Sequence, residues 1–423
     1  MIKEELKPNE LKRLDEEIAD AVRRIKEGTP KQYIPEEAPA VLLTEALLRK
    51  AALIGASDIH LTPTEEDVRV RFRHDGELEE VLRIPRSGYR ALCTRLKVLA
   101  DMNAAQSRLP QNGSLSFSYY GEEYDVRLSS FPTVLGENFV LRSLLRSCPY
   151  SREQLGFLPE EESAVRRMLS RPGLVLITGP TGSGKSTTLA CFLKELSSKS
   201  QNIVTVEDPV EYRIEGVEQL SLFSCRALTL ENALKDVLRQ DPDIIMTGEI
   251  RDEETAGLTV RMALTGKLVL TTLHTAGAVG AVQRMRDLGI KDAFLADALS
   301  GIISQRLVKR LCPYCRTSFL TTPEEQVLLG VPKGTMRSRA ASCEKCSGRG
   351  TAGRFAVHEV LEVTDSFREG IRTGRSTSEL SAIAFAEGMK PMRERARGLL
   401  LKGEIDIEGY CSICGIPVPQ KEE

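Results

Sequence analysis

A glycine-rich loop set between an apolar strand and a helix leaves a chain few folds to choose from. Residues 179–186 read Gly179-Pro180-Thr181-Gly182-Ser183-Gly184-Lys185-Ser186. This is the G-x-x-x-x-G-K-[ST] spacing, in which backbone N–H groups turn inward around phosphate oxygens. The loop follows the apolar run Leu174–Thr178 and opens a helix read over Thr187–Leu196, so the positive end of a helix falls at the same place. Lys185 is expected to reach the β- and γ-phosphates of ATP, Ser186 to ligate Mg²⁺, and Thr187 to complete the phosphate-binding stretch. A chance Gly-rich turn would not carry this flanking pattern.

Three further apolar runs follow, at residues 202–207, 243–249 and 267–274, each succeeded by a helical pattern. Fully apolar strands alternating with helices imply a parallel sheet covered on both faces. Ligands of such a sheet bind beyond the carboxyl ends of its strands. Glu207, Glu249 and His274 end the three runs, so they are expected on one rim with Lys185. Glu249 directly follows its strand and is a candidate to support the metal. Glu207 is the better candidate to activate water. The bland reading of both is a solvated loop acid. His274 is either a γ-phosphate sensor or a hydrogen-bonded structural histidine.

Around this core, residues 1–37 read as one charged helix broken by Gly28, Pro30 and Pro35. Leu11, Leu14, Ile18, Val22 and Ile25 recur at helical spacing; the helix either packs on its own domain or docks a partner. Residues 38–148 read as an α+β domain. Val68, Val70 and Phe72 alternate with Arg69, Arg71 and Arg73, Asp75-Gly76 forms a turn, Ser87–Met102 is helical and 114–120 is strand-like. Residues 149–160 read as a linker, 161–305 as the ATPase core, and 306–423 as a C-terminal region with helices such as Thr377–Glu387.

Lys plus Arg number 58 and Asp plus Glu 60, a net charge of −2, and aromatic residues make up 5%. The chain therefore lacks the bulk basic charge expected of a nucleic-acid protein, a local patch aside, and its few aromatics argue against stacking platforms. No apolar run approaches the roughly 20 residues that span a bilayer, and the charged N-terminus has no signal-peptide core. A cytoplasmic location is expected. Six of the ten cysteines form C-x-x-C pairs. Cys312, Cys315, Cys343 and Cys346 form C-x₂-C…C-x₂-C with residues 316–342 between, a set of four thiolates that suits structural Zn²⁺. Two unrelated reduced pairs are the alternative. Cys411 and Cys414 are as readily a free or redox-active pair as a metal pair.

Taken together, these segments resemble the type II secretion and type IV pilus assembly ATPase family. The stretch Thr205–Tyr212 resembles its Asp box, Leu238–Asp252 its Walker B region and Ala263–Thr275 its His box; Ala56–His60, Arg69–Gly76 and Arg108–Gly113 resemble its N-terminal regulatory domain. The resemblance runs from about residue 40 to about residue 400. It implies a RecA-like P-loop core, a PAS-like N-terminal domain and a C-terminal helical region with a Cys₄ zinc module. It implies Glu207 as catalytic base, Glu249 in support of Mg²⁺ and the γ-phosphate, and Arg127 and Arg142 as arginines that reach the γ-phosphate; on sequence alone those two are solvated strand arginines. Arg71 and Arg73 are read as surface or interface charges.

The family implies a homo-hexamer acting on an inner-membrane platform protein, with peripheral attachment to the cytoplasmic membrane through partners. Three departures stand out. Only about 37 residues precede the regulatory domain, which puts the usual docking-protein contact in doubt. Ser186 stands where Thr is commoner, and Cys411–Cys414 is an extra pair outside the family's pattern. Assembly and secretion members carry a similar tetracysteine insertion that retraction motors generally lack. Competing functions are a nucleic-acid translocase or DNA-uptake ATPase on the same core, and a nucleotide-binding scaffold that does not hydrolyse.

Overall fold

The fold was obtained as a computed structural model, which describes residues 7–27, 38–197, 200–225, 227–346 and 348–419. Gly28, Pro30 and Pro35, the expected breaks after the first helix, lie outside the described residues. The chain divides into two compact units, Met1–Ser147 and Cys148–Glu423.

In the first unit, α1 (Lys7–Glu27) and α2 (Pro39–Ile54) precede strands β1 (Asp58–Pro63), β2 (Asp67–His74) and β3 (Glu77–Pro85). Helix α3 (Arg86–Leu99) then leads to β4 (Gln111–Tyr119), β5 (Glu122–Thr133) and β6 (Gly136–Leu145). The strands form one antiparallel sheet in the order β3-β2-β1-β6-β5-β4. The period of two read at residues 68–73 is kept: Val68, Val70 and Phe72 are buried and Arg69 is exposed. Those apolar side chains meet Ile59, Leu61, Val126, Leu128, Phe139 and Leu141 from neighbouring strands, and Ile18, Leu43 and Leu92 from the three helices, in one core. Helix α1 thus packs on its own unit through Leu14, Ile18 and Ile25. Asp75 and Gly76 both take positive φ, 50° and 90°, the backbone that a two-residue hairpin turn requires.

The second unit holds α4 (Pro159–Leu169), β7 (Gly173–Thr178), α5 (Lys185–Leu196), β8 (Ile203–Glu207), β9 (Glu218–Ser221), α6 (Leu230–Val237), β10 (Ile244–Thr247), α7 (Glu253–Leu264) and β11 (Leu268–Leu273). After α8 (Ala278–Asp287) and α9 (Asp292–Ala298) come β12 (Leu299–Leu311), β13 (Thr317–Leu320), α10 (Pro323–Leu329), β14 (Met336–Arg339) and β15 (Thr351–Glu362). Helices α11 (Asp365–Arg372), α12 (Thr377–Ala386), α13 (Met392–Leu401) and α14 (Ile407–Cys414) complete it. Seven strands form a sheet in the order β15-β12-β7-β11-β10-β8-β9; its pairs are parallel except that β15 runs antiparallel to β12.

Every residue of β7 and β11 is buried. Leu174 and Leu176 enter one core and Val175 and Ile177 the other, because successive side chains of a strand leave opposite faces. A Leu or Val fully withdrawn from water contributes about 1.5–3 kcal/mol, and a strand with two such faces must be apolar throughout. The sheet does not stop at residue 305: β12 runs through that position, and β15, from the region read as C-terminal, returns to pair with it. The stretch read as a linker carries a 3₁₀ turn at Arg152–Leu155 and the start of α4. Its Arg152 is buried and ion-paired with Glu162 and Glu195. Glu359 of β15 fastens two helix starts, accepting from the N–H of Ala278 at 2.8 Å and of Met392 at 3.1 Å. No helix among the described residues is long and apolar enough to cross a membrane.

Candidate functional site

The apolar strand β7 delivers the chain to the glycine loop, and α5 begins at Lys185. Gly179, Gly182 and Gly184 take φ values of 147°, 78° and 88°, a backbone that side chains with a Cβ rarely adopt. At Gly179 a Cβ would also lie 2.7 Å from the Ser183 hydroxyl oxygen, so the cradle closes if the position is filled. The Lys185 ammonium curls back into the loop, donating to the carbonyls of Gly179 at 2.9 Å and Pro180 at 3.2 Å. Burial pulls its pKa down, against the opposing charges of Glu249 and Glu211. The Ser183 hydroxyl is buried with no hydrogen-bond partner among the described residues. Backbone donors, a helix start, an ammonium and a spare hydroxyl fit the oxygens of a polyphosphate. Thr187 shares a hydrogen bond of 3.2 Å with the Tyr212 hydroxyl, and Ser186 is half-buried beside it.

Register brings the other strand ends to the same edge. Thr178 of β7 lies opposite Leu273 of β11, Thr271 opposite Thr247 of β10, and Thr247 opposite Val206 of β8. Glu207 and His274 follow directly, and Glu249 follows after Gly248. His274 Nε2 lies 3.2 Å from Glu249 Oε2, and the Arg251 guanidinium holds Glu249 Oε1. Burial raises the pKa of Glu249, but the hydrogen bond from Arg251, its charge and that of His274 more than reverse this, so the group is held below the usual carboxylate range. Glu207 differs. Its Oε1 accepts from the Thr205 hydroxyl at 2.8 Å and the Gln219 amide at 3.0 Å. Neither partner is charged, and burial pushes its pKa up. The two acids thus separate electrostatically: Glu249 is held below the usual carboxylate range beside Arg251 and His274, and Glu207 is pushed above it by burial.

Arg127 and Arg142 belong to the first unit. They sit directly opposite one another on β5 and β6, on the face of the sheet away from its core. Arg142 Nε donates to Asp58 Oδ1 at 2.9 Å, and Arg73 Nε lies 3.8 Å from Asp58 Oδ2. Arg71 donates to the Thr62 hydroxyl at 3.1 Å. A row Arg73–Asp58–Arg142–Arg127–Ser114 therefore crosses five strands in register.

The ligand atoms of Cys312, Cys315, Cys343 and Cys346 lie within 4.8 Å of one another. Individual Sγ–Sγ distances are 3.9 Å (312 to 343), 3.8 Å (315 to 346) and 3.6 Å (343 to 346). Tetrahedral Zn²⁺ with Zn–S bonds of ~2.3 Å sets sulfurs about 3.8 Å apart, so the four thiols fit that ion. The Gly350 N–H donates to Cys346 Sγ at 3.2 Å, an outer contact that orients a ligand. Among the described residues no third metal-ligating group joins Cys411 and Cys414. Cys411 is fully buried beside Tyr410, and burial pushes both thiols up.

The sequence did not single out Tyr212, Gln219 or Arg251. Arg251 comes two residues after Glu249 and is legible as a charge beside an acid. Tyr212 and Gln219 reach the site only through contacts with residues further off in the sequence, Thr187 and Glu207.

The family model described as Type II/IV secretion system protein matches residues 35–411. The chain is 39% identical over 394 residues to the type IV pilus assembly ATPase PilB of Thermus thermophilus, covering 92% of this chain and 44% of that protein. It is 42% identical over 343 residues to the type II secretion system protein E of Dickeya dadantii, covering 81% of this chain and 69% of that one. It thus spans less than half of the pilus ATPase and about two thirds of the secretion protein. Among solved structures it is similar to the pilus retraction motor PilT with bound ADP, at 27% identity and a TM-score of 0.62 over 87% of this chain and 95% of that one. The fold is shared with the ATPase DotB of Legionella pneumophila, at 20% identity and a TM-score of 0.67 over 92% and 98%.

Proposed function

Because this chain belongs to the Type II/IV secretion system protein family, we propose that it is an ATP-hydrolysing motor subunit for type II secretion or type IV pilus assembly. The observation that carries the reading is the meeting of Lys185, Glu207, Glu249 and His274 at one sheet edge. Mg²⁺-ATP, when bound, supplies the phosphoryl group and the charge that activates it. The protein's part is to hold and to move a proton. Lys185 and the loop N–H groups grip the phosphates, and Ser186 ligates Mg²⁺. Glu249, kept ionised by Arg251 and His274, supports the metal side. Glu207, raised by burial, accepts the proton of the attacking water. Arg127 and Arg142 neutralise γ-phosphate charge during turnover.

In this reading the subunit works as a homo-hexamer at the cytoplasmic face of the inner membrane, on a platform protein, with a docking protein as a further contact. The Cys₄ cluster binds Zn²⁺ and favours assembly or secretion over retraction.

The test is a split. Lys185→Ala should abolish ATP binding, whereas Glu207→Gln should bind ATP within threefold of wild type and lose turnover by about 10²–10⁴. Near-normal turnover in Glu207→Gln removes it as the base. Metal analysis checks the cluster: wild type should carry one Zn²⁺ per chain and Cys312→Ser far less, with ATP binding kept. Unchanged zinc in Cys312→Ser would sink the assignment.

A further inference from the structure

Strand β12 lies beside β7, and its Ser304 pairs with Thr178, the last residue before the glycine loop. The next residue, Gln305, is therefore set where the loop begins. It is 1% exposed. Its side-chain Nε2 donates to the Ser183 carbonyl at 2.5 Å, and its Oε1 accepts from the Thr188 hydroxyl at 2.8 Å. The first bond grips the end of the loop and the second the first turn of α5. The backbone also contributes: a Cβ on Gly179 would come 2.3 Å from the Gln305 carbonyl oxygen.

From these contacts we propose that Gln305 is the positioning residue of the phosphate loop. The argument follows from the planarity of one peptide. In a trans peptide the C=O of Ser183 and the N–H of Gly184 point in opposite directions. Holding the Ser183 carbonyl on Gln305, beneath the loop, turns the Gly184 N–H away from Gln305 and into the concavity where phosphate oxygens bind. Tying the same side chain to Thr188 fixes the helix start against the loop. The Gln305 amide donates to one partner through its NH₂ and accepts from the other through its oxygen, both at the tip of one side chain. An ionised Glu cannot donate and a Leu can do neither. Gln305 touches no phosphate; it acts through the Ser183–Gly184 peptide.

The inference rests on the loop binding ATP, and the experiment separates the two. Equilibrium ATP and ADP affinities, turnover, and the melting temperature of the nucleotide-free full chain are measured for wild type, Gln305→Leu, Gln305→Glu and Gln305→Leu/Thr188→Val. Losing a buried pair of hydrogen bonds at the loop should weaken both nucleotides by roughly 10- to 100-fold. The effect should appear in KM, with kcat at saturating ATP changed by less than about threefold. The double variant removes the hydroxyl left unpaired by Leu, so its melting temperature should recover while its affinity stays low, because the Ser183 carbonyl is still loose. Affinity that recovers together with stability would reduce Gln305 to packing and overturn the proposal. So would wild-type affinity in Gln305→Leu. If Gln305→Leu fails to fold, the double variant decides by the same two outcomes. A wild-type chain that binds no nucleotide overturns the reading of the loop itself, and this inference with it.

Discussion

In the first unit's sheet, Val68, Val70 and Phe72 are buried while Arg69, Arg71 and Arg73 alternate with them toward the other face; in the second unit's sheet, every residue of β7 and β11 is buried. The first sheet has helices on one side and leaves a face free for charge. The second is covered on both sides and leaves only the ends of its strands. Candidate polar groups are distributed accordingly. Asp58, Arg127 and Arg142 sit within paired strands, on a face. Glu207, Glu249 and His274 sit where strands stop. A one-sided sheet can carry chemistry across its middle, whereas a two-sided sheet must carry it at its rim.

The sharpest way to break this contrast is to remove the charge on the open face. Arg127→Ala and Arg142→Ala should each cut ATP turnover by about 10³-fold, the lower range for arginines that stabilise a transferring phosphoryl group, with ATP affinity little changed. Wild-type turnover in both variants would leave them as surface charges, and the open face would have no part in the chemistry.

A smaller effect separates the two faces of β2. Phe72 is 1% exposed, and Phe72→Ala should cost about 3–5 kcal/mol in chemical denaturation. Arg69→Ala, on the opposite face, should cost under ~0.5 kcal/mol. Equal losses would show that the sheet is not one-sided.

The smallest effect is one of pH, at the rim of the other sheet. A base works only when deprotonated. Burial raises the pKa of Glu207 while cations lower that of Glu249. As pH falls, Glu207 is the first of the two to take a proton, so turnover at saturating ATP should fall at a pH above the ordinary glutamate range. An acid limb at or below that range would point to Glu249 instead.

What could be read from the sequence follows the same contrast. Runs such as residues 174–178 and 268–273 announce their strands because both faces are buried, and the alternation at 68–73 announces a strand with one wet face. The glycine loop and the four cysteines were visible because their chemistry depends on local spacing. Gln305 was not, since one polar residue among Ser304, Gln305, Arg306, Lys309 and Arg310 acquires meaning only when β12 lies beside β7. Strand β15 was hidden for a related reason: residues 351–362 mix Arg, His and Glu with apolar residues, and their place in the sheet depends on antiparallel pairing with β12 across 40 to 61 positions. Asp58 gave no sign of its partners Arg142 and Arg73, which come from strands on either side of it.

The chain leaves the sheet at Leu311 and comes back at Thr351, and these two residues are paired with one another. Everything between them, including all four clustered cysteines, departs and returns through a single doorway. The β12–β15 ladder closes that doorway, so the register of the strands beside the glycine loop is set outside the segment, while its Leu329 packs with Val308, Val357 and Leu400. The four cysteines lie wholly within one excursion from the sheet, and a short turn joining Leu311 to Thr351 would complete a plain hairpin.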